Sequence, residues 1–531
     1  MALLAQLAHS ASALLPLFLP SIAAIIAFAL FQRFHFFAPN PLSNIPTVGD
    51  EEYPGYEKKR QAYLTKAKDL YVEGYNKFKH GLFRIVTPNA SSVIVVSPSF
   101  LGELQKLPDD VVSFDAAIDE TMHTKYTLLT THEAVLPHTV KSSLTPALPR
   151  LNPQISEEVQ IAFSQEIAPL ISDSSSSDWA PVNINSKLLR IVAKVSGRVF
   201  IGPELCQDER YLSAAVGYTV SVMEAQRAVE KMSPWLRPFA AWRLKEVRRL
   251  AQWERDAMAF LRPVVDARRE KQRKGEEMDN DMLQWLMDSA DQGQGKQHGK
   301  WGEDTTTTRK LARLQLVISF AAIHTTTLVT THAVYSLAAD KGLQAMLREE
   351  IQEVLEEHDG VFTTSALQAM KKTDSFLKET MRFHPLSQTS FSRKVLKPFV
   401  LSNGQVIPKG SIIEVPNYAV SRDPEVYSNP NMFDPLRFYN LRNEARGKGE
   451  MEQAATSQFV SVNKDFLTFG YGRHACPGRF FAANEIKMIL AHLVMTYEMG
   501  LVEGETERYK DWDIVAGTIP DPTKDVMFRK L

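Results

Sequence analysis

The sequence predicts a mainly α chain, with one catalytic domain that includes a small β region, behind an N-terminal transmembrane helix. Three observations predict it. Apolar residues recur at roughly helical spacing in long stretches such as Phe480, Phe481, Ile486, Ile489, Leu490 and Leu493. Period-two alternation occurs in two short runs, Phe83–Thr87 and Ser92–Val96, on either side of Pro88-Asn89, which reads as a hairpin. The third is an uncharged apolar stretch near the N-terminus. With 531 residues and 44% of them hydrophobic, the chain has ample core material.

From Ser10 to Phe31 the chain is apolar apart from serines, and the first Lys or Arg is Arg33. About 20 such residues match the hydrocarbon thickness of a bilayer, so the segment reads as a single membrane-spanning helix. A cleaved signal peptide is the first alternative, because Ala27-Phe28-Ala29 resembles a cleavage site, but no Lys or Arg precedes the stretch. A buried core helix is the second, and Pro16, Pro20 and the uniform apolarity suit lipid better. Residues 1–36 are therefore the expected anchor, with Arg33 and the later basic residues on the cytosolic side. Residues 37–49 hold Pro39, Pro41, Pro46 and Gly49 and read as a stiff neck, leaving 50–531 as the catalytic domain.

Asn89-Ala90-Ser91 is a glycosylation sequon that a cytosolic location would leave bare. Ser174–Ser177, the Gly/Gln-rich span 291–303 and the polar run 442–458 read as surface loops, the last as an insertion. Ser233–Trp242, followed by Arg243, Lys245, Arg248 and Arg249, mixes aromatics with cations. That mixture suits a membrane interface; equally, it suits a solvated basic helix face beside core tryptophans.

Four segments carry chemistry. Leu314–Thr327 is an apolar helix with small Ala321 and Ala322 followed by His324 and three threonines, whose hydroxyls can bond back to carbonyls and bend the axis. Glu379 and Arg382, three apart in Lys378–Pro385, share a helix face. Arg437 lies in Phe433-Asp434-Pro435-Leu436-Arg437-Phe438. Finally, Phe469-Gly470-Tyr471-Gly472-Arg473-His474-Ala475-Cys476-Pro477-Gly478 sets one of the chain's two cysteines in a glycine-rich turn that opens a helix. Gly472 and Gly478 would let the backbone take tight or left-handed conformations close to a flat ligand, and Pro477 suits a first helical turn. A helix N-terminus favours an anion, so the turn would hold Cys476 as thiolate, an iron ligand. The plain alternative is an ordinary buried thiol.

Phe469-x-x-Gly472-x-x-x-Cys476-x-Gly478 resembles the haem-binding loop of the cytochrome P-450 superfamily of haem-thiolate monooxygenases, and the other three segments stand in the family's order. The 314–327 segment resembles the family's I helix, Glu379 and Arg382 its Glu-x-x-Arg, and Arg437 the arginine that completes a buried Glu-Arg-Arg cluster. The family's usual Asp or Glu before Thr325 is here His324, a residue that could relay protons or merely fill space. Similar Ala-Ile-His-Thr-Thr segments occur in fungal, membrane-anchored members that oxidise terpenoids.

The resemblance implies a triangular single-domain fold and a haem b whose iron is held by Cys476. By family position His474 and Arg393 would bind the propionates, with Lys141 in place of the family's missing C-helix Trp-x-x-x-Arg. Ala321, Ala322, Phe391 and Ile519 would line the substrate pocket, which favours a bulky terpenoid or steroid-like compound, in secondary metabolism or xenobiotic oxidation. The implied reaction inserts one oxygen atom of O2 into a C–H bond, with Thr325 and His324 on the proton route. Electrons would come from NADPH through a membrane-bound cytochrome P-450 reductase, with cytochrome b5 as an optional second donor, at the endoplasmic reticulum.

The charge balance, 61 basic against 62 acidic residues, gives no support for nucleic-acid binding. Cys206 and Cys476 alone cannot build a disulfide framework or a zinc site. Two other functions stay open. One is a haem-thiolate isomerase or dehydratase that needs no reductase, and the other is a non-enzymatic haem sensor.

Overall fold

The computed structural model describes residues 42–89, 91–129, 131–172, 179–291 and 308–531. The expected anchor, the neck up to Pro41, Ser174–Ser177, the Gly/Gln-rich span beyond Asp291 and Ala90 of the sequon lie outside the described residues.

Helices dominate. The principal ones are α1 (Tyr56–Lys77), α2 (Phe114–Thr121), α3 (Thr145–Glu166), α4 (Ile184–Phe200), α5 (Glu209–Lys231), α6 (Lys245–Lys274), α7 (Met282–Asp291), α8 (Thr308–Ala339), α9 (Lys341–Glu356), α10 (Lys371–Phe383), α11 (Arg437–Gly447) and α12 (Arg479–Thr496). Local chemistry starts several of them. Ser113 caps α2, Asn183 caps α4, Asp208 caps α5 and Asp340 caps α9, each side chain accepting a first-turn N–H. Gly275 ends α6 in the left-handed conformation, φ 68°.

α8, 32 residues long, is apolar on nearly every side, as a helix enclosed by others must be. It could cross a membrane by length and composition, yet 67% of its apolar window is buried inside the protein. α4, α5, α6 and α12 pack around it, and α3 packs on α4 and α12. Phe163, Ile191, Val222, Tyr335 and Leu490 belong to the shared core.

The β region is small. A five-stranded sheet runs β1 (Leu82–Ile85), β2 (Val93–Val96), β8 (Ile412–Val415), β5 (Ser390–Val395) and β3 (Val112–Ser113) in that spatial order. The expected hairpin is its β1–β2 edge, in register Leu82↔Val96 to Ile85↔Val93. β2 pairs in parallel with β8, and β8 antiparallel with β5. β4 (Ala180–Val182), β12 (Val526–Lys530) and β9 (Tyr497–Gly500) form a second sheet. Two hairpins complete the set: β6 (Phe399–Val400) with β7 (Val406–Ile407), and β10 (Asp511–Ile514) with β11 (Gly517–Pro520).

Two expectations change. The polar run 442–458 is not a loop: it continues α11 and forms a short helix at Met451–Thr456. Buried Ala445 and Ala454 are enough to seat both helices, and Lys378 Nζ donates to Thr456 O and Gln458 O at 2.9 and 2.8 Å. A composition reading sees only the polar face. In the 233–242 segment the aromatics are not core residues. Trp235 is 70% exposed, Phe239 76% and Trp242 45%.

Candidate active site around Cys476

The loop before α12 is a chain of tight turns. Gly470 N–H donates to Leu467 O at 2.8 Å, Ala475 N–H to Gly472 O at 3.0 Å and Cys476 N–H to Phe469 O at 2.7 Å. Gly470 and Gly472 take φ of 77° and 67°, where a side chain is strained. A Cβ on Gly472 would also press on Gln105 at 3.1 Å. Gly478 differs from expectation. It caps α12 with φ −84°, so no left-handed backbone demands glycine there. A Cβ on it would meet nothing within 4 Å, so its smallness keeps space open at the head of the helix. Pro477 precedes this cap and so lies outside the first helical turn.

The backbone N–H groups of Gly478 and Arg479 point at the Cys476 sulfur, and the Arg479 guanidinium adds its charge. Burial outweighs them, and the thiol pKa is pushed up. The turn and helix end alone therefore do not hold the thiolate that the sequence led us to expect. A positive centre bound to the sulfur would.

α8 supplies the second wall. Within this enclosed helix Ala321 and Thr325, one turn apart, are exposed, while Ile323, Thr326 and Thr327 are buried. Thr325 Oγ1 donates to Ala321 O at 2.7 Å, the back-bonding expected of a mid-helix threonine. His324 is half-buried. Its Nδ1 is buried without a partner among the described residues, and burial lowers its pKa, keeping the ring neutral.

The three expected propionate partners gather beside the loop. The Arg393 guanidinium lies 4.2 Å from the Phe391 ring centroid and 5.2 Å from that of Phe114. Its one hydrogen bond among the described residues is to Ser392 O, and no carboxylate pairs with it there. Burial brings its pKa down to about 10, so it stays charged at neutral pH. The His474 ring stacks on the same Phe114, at 5.4 Å, with Nε2 2.9 Å from Asp109 Oδ1. Lys141 is exposed in the turn Val140–Leu144, its Nζ 3.4 Å from Arg473 O. Phe391 takes φ 54° at a register shift of β5 and is buried against Tyr471. Ile519 lies on β11, which a bridge between Ser387 and Gly517 joins to the 386–391 loop.

Beneath these elements Glu379 holds two arginines. Its carboxylate takes Arg382 Nε and Nη2 at 2.7 Å each and Arg437 Nε at 3.1 and 3.2 Å. Arg382 also donates to Ser421 O and Pro430 O, and Arg437 to Ser428 O and Met432 O. Glu379 and Arg382 are wholly buried, unlike the solvated surface pair that such spacing more often makes. A cytochrome P450 family model matches residues 66–524. This chain belongs to the cytochrome P450 family.

Fungal relatives agree. The chain is 37% identical to cytochrome P450 monooxygenase ATR3 of Stachybotrys chlorohalonatus over 442 residues, 83% of this chain and 89% of that protein. It is 32% identical to cytochrome P450 monooxygenase braC of Annulohypoxylon truncatum, across 92% and 93% of the two chains. Cytochrome P450 monooxygenase BOA4 of Botryotinia fuckeliana is 33% identical, across 96% of each. As a P450 monooxygenase the protein is an oxidoreductase, and its family implies a haem-thiolate iron cofactor.

The residues fit such a group. A flat macrocycle needs a thiol at a turn, room above it and cations for its carboxylates. This P450 offers Cys476, the exposed face of Ala321 and Thr325, the space beside Gly478 and Arg393, which no carboxylate pairs among the described residues. Asp109, Phe114, Gln105 and Arg479 were missed in the sequence. Arg479, three residues after Cys476, was open to notice, whereas Asp109 and Phe114 are brought in from more than 350 positions away and carry no local signal.

Proposed function

We propose that this P450 is a monooxygenase of the endoplasmic reticulum membrane that hydroxylates a bulky lipophilic substrate, terpenoid or steroid-like, with electrons from NADPH through a membrane-bound reductase. The balance is R–H + O2 + NADPH + H+ giving R–OH + H2O + NADP+. One observation carries the reading: the exposed face of Ala321 and Thr325 within an otherwise enclosed helix, α8, that packs on the helix headed by the Cys476 loop.

Cys476 would hold the iron, and Arg393 and His474 would hold the propionates, with Lys141 at the rim. Bound there, the haem-thiolate supplies dioxygen activation. The chain's own residues bind and orient. Ala321 and Ala322 leave room for substrate, and the Thr325 hydroxyl, donating to Ala321 O, keeps lone pairs free to accept a proton-carrying hydrogen bond. His324, neutral, is able to pass a proton on only if its unpartnered Nδ1 meets solvent or substrate. The small and apolar residues named for the pocket support a lipophilic substrate. The exposed Trp235, Phe239 and Trp242, together with the uncharged Ser10–Phe31 stretch, support the membrane.

A reduced, CO-bound spectrum tests the ligand: the red-shifted thiolate band is expected and Cys476→Ser should abolish it. A spin-shift screen against terpenoids and steroids, followed by NADPH-dependent turnover with the reductase, tests the rest. Turnover without NADPH would favour the isomerase reading, and binding with no consumption the sensor.

A further inference from the structure

On the side of α8 beyond Thr325, four polar residues from three elements meet. His332 is seven residues after Thr325, which puts it on the same helix face about 10 Å further on. His384 caps the end of α10, Asp511 opens β10 and Arg508 precedes that strand. The two imidazoles stack, centroids 5.1 Å apart and planes 13° from parallel. His384 Nδ1 lies 2.5 Å from Asp511 Oδ2, and His332 Nδ1 lies 3.4 Å from Asp511 Oδ1. Arg508 donates Nη2–H to His332 Nδ1 at 2.8 Å and Nη1–H to Asp511 Oδ1 at 2.9 Å, with Nε 3.2 Å from Ser336 Oγ.

Because a guanidinium only donates, His332 accepts at Nδ1 and carries its proton on Nε2. Because a carboxylate only accepts, His384 carries its proton on Nδ1. Each ring is thus neutral and the group is one carboxylate against one guanidinium. His332 is 1% and His384 8% exposed, and the Nε2 of each is buried without a partner among the described residues. Burial drives both imidazole pKa values down, that of His384 to about 3. It would raise that of Asp511, but the N–H that His384 donates to it holds the carboxyl well below its usual range.

The next strand is the one placed at the pocket. β11 hangs on the 386–388 loop through Thr518 N–H to Leu386 O, Gln388 N–H to Ala516 O and Gln388 Nε2 to Thr518 Oγ1 at 2.7 Å. Thr518 Oγ1 in turn donates to Asp513 Oδ1 on β10. We propose that Arg508, Asp511, His332 and His384 are positioning residues, a charge-neutral latch that sets the C-terminal hairpin, and with it the Ile519 wall of the substrate pocket, against α8 and α10. The proposal rests on the pocket reading above.

A metal centre is the competing use of the same donors, which lie within 4.8 Å of one another. Arg508 decides against it. Its guanidinium already occupies a ligating nitrogen and a carboxylate oxygen, and a divalent ion would leave the buried group with net charge +2.

The test compares wild type, Asp511→Asn and the double variant Asp511→Asn/Arg508→Gln, which restores neutrality. Haem-loaded protein is titrated with imidazole, small enough to reach iron without touching the wall, and with a bulky N-aryl imidazole that must touch it. Asp511→Asn should keep imidazole affinity within about twofold and weaken the bulky probe about tenfold, the size of one charge-assisted hydrogen bond. The double variant should recover most of that loss. Amide exchange should quicken at 511–520 in Asp511→Asn and not in α12, a readout that needs no haem. If the single variant fails to fold, the double variant against Arg508→Gln alone carries the same comparison. Equal weakening of both probes, no weakening of either, no recovery in the double variant, or a stoichiometric metal lost with Asp511→Asn overturns the latch. Loss of the thiolate band in wild type would overturn the haem reading and leave the exchange result standing.

Discussion

Arg437 Nε lies 3.1 Å from Glu379 Oε2, so residues 58 positions apart share one buried carboxylate with Arg382. Two guanidiniums around one carboxylate leave an excess positive charge, which backbone carbonyls from the 421–432 segment absorb. Glu379→Gln should therefore be severe. It leaves two buried cations without a counterion, a cost of about 3–5 kcal/mol. Thermal melting and the yield of haem-loaded protein should both fall sharply, while a double variant that replaces Glu379 and Arg382 by apolar residues should lose less stability than Glu379→Gln.

Thr325→Ala removes the hydroxyl on the open face of α8 and the back-bond to Ala321 O. The expected outcome is uncoupling: NADPH consumption continues while peroxide release rises several-fold relative to product, as proton delivery loses one donor. Thr325→Ser should keep coupling near wild type. Equal coupling in all three proteins would send the proton by another way.

Acid should destabilise the fold before it titrates most carboxylates. His123 and His384 are buried, and burial lowers their pKa to about 4 and about 3. A base whose folded pKa lies below its unfolded value of about 6.5 binds more protons when unfolded. Stability is thus fully present above about pH 6.5 and falls as pH drops toward 4, by about 1.4 kcal/mol per unit for each ring. Urea midpoints at pH 7.5 and 5.5 should show the loss, and His123→Gln should reduce its slope by no more than about a third, because half-buried His492, whose pKa is lowered to about 4, contributes as well.

Trp235 and Phe239 are the aromatics to test for membrane contact. Replacing both by Ser removes the most exposed rings of the 233–242 segment. With residues 1–36 deleted, partitioning onto vesicles of mixed neutral and anionic lipid should fall about tenfold or more, given that each buried ring contributes about 1–3 kcal/mol. The CO spectrum should be unchanged. Partitioning that survives the double replacement would point to another face.

Much of the site was legible because its chemistry is local. The Cys476 loop, the pairing of Glu379 with Arg382, the threonine back-bond of α8 and the β1–β2 hairpin each arise from residues within a turn or a strand of one another. What was misread depended on neighbours. Gly478 turned out to be small for room and not for backbone conformation, and the 442–458 run hides two buried alanines behind a polar face. Trp235 and Trp242 could not be assigned to core or surface until the packing was known.

The cysteine loop, the order of the motifs and the mainly helical class could be read from residue order alone, since spacing along a helix and the φ freedom of glycine are properties of a few adjacent residues. Packing brought particular residues among them together. It paired His474 with Asp109, left Arg393 without an acid among the described residues, and opened α8 at Ala321 and Thr325 alone of their neighbours. It also gathered His332, His384 and Asp511 from three distant segments. Desolvation accounts for the difference. A charge or a thiol takes its value from what excludes water around it, and the residues that do so are contributed by elements hundreds of positions away.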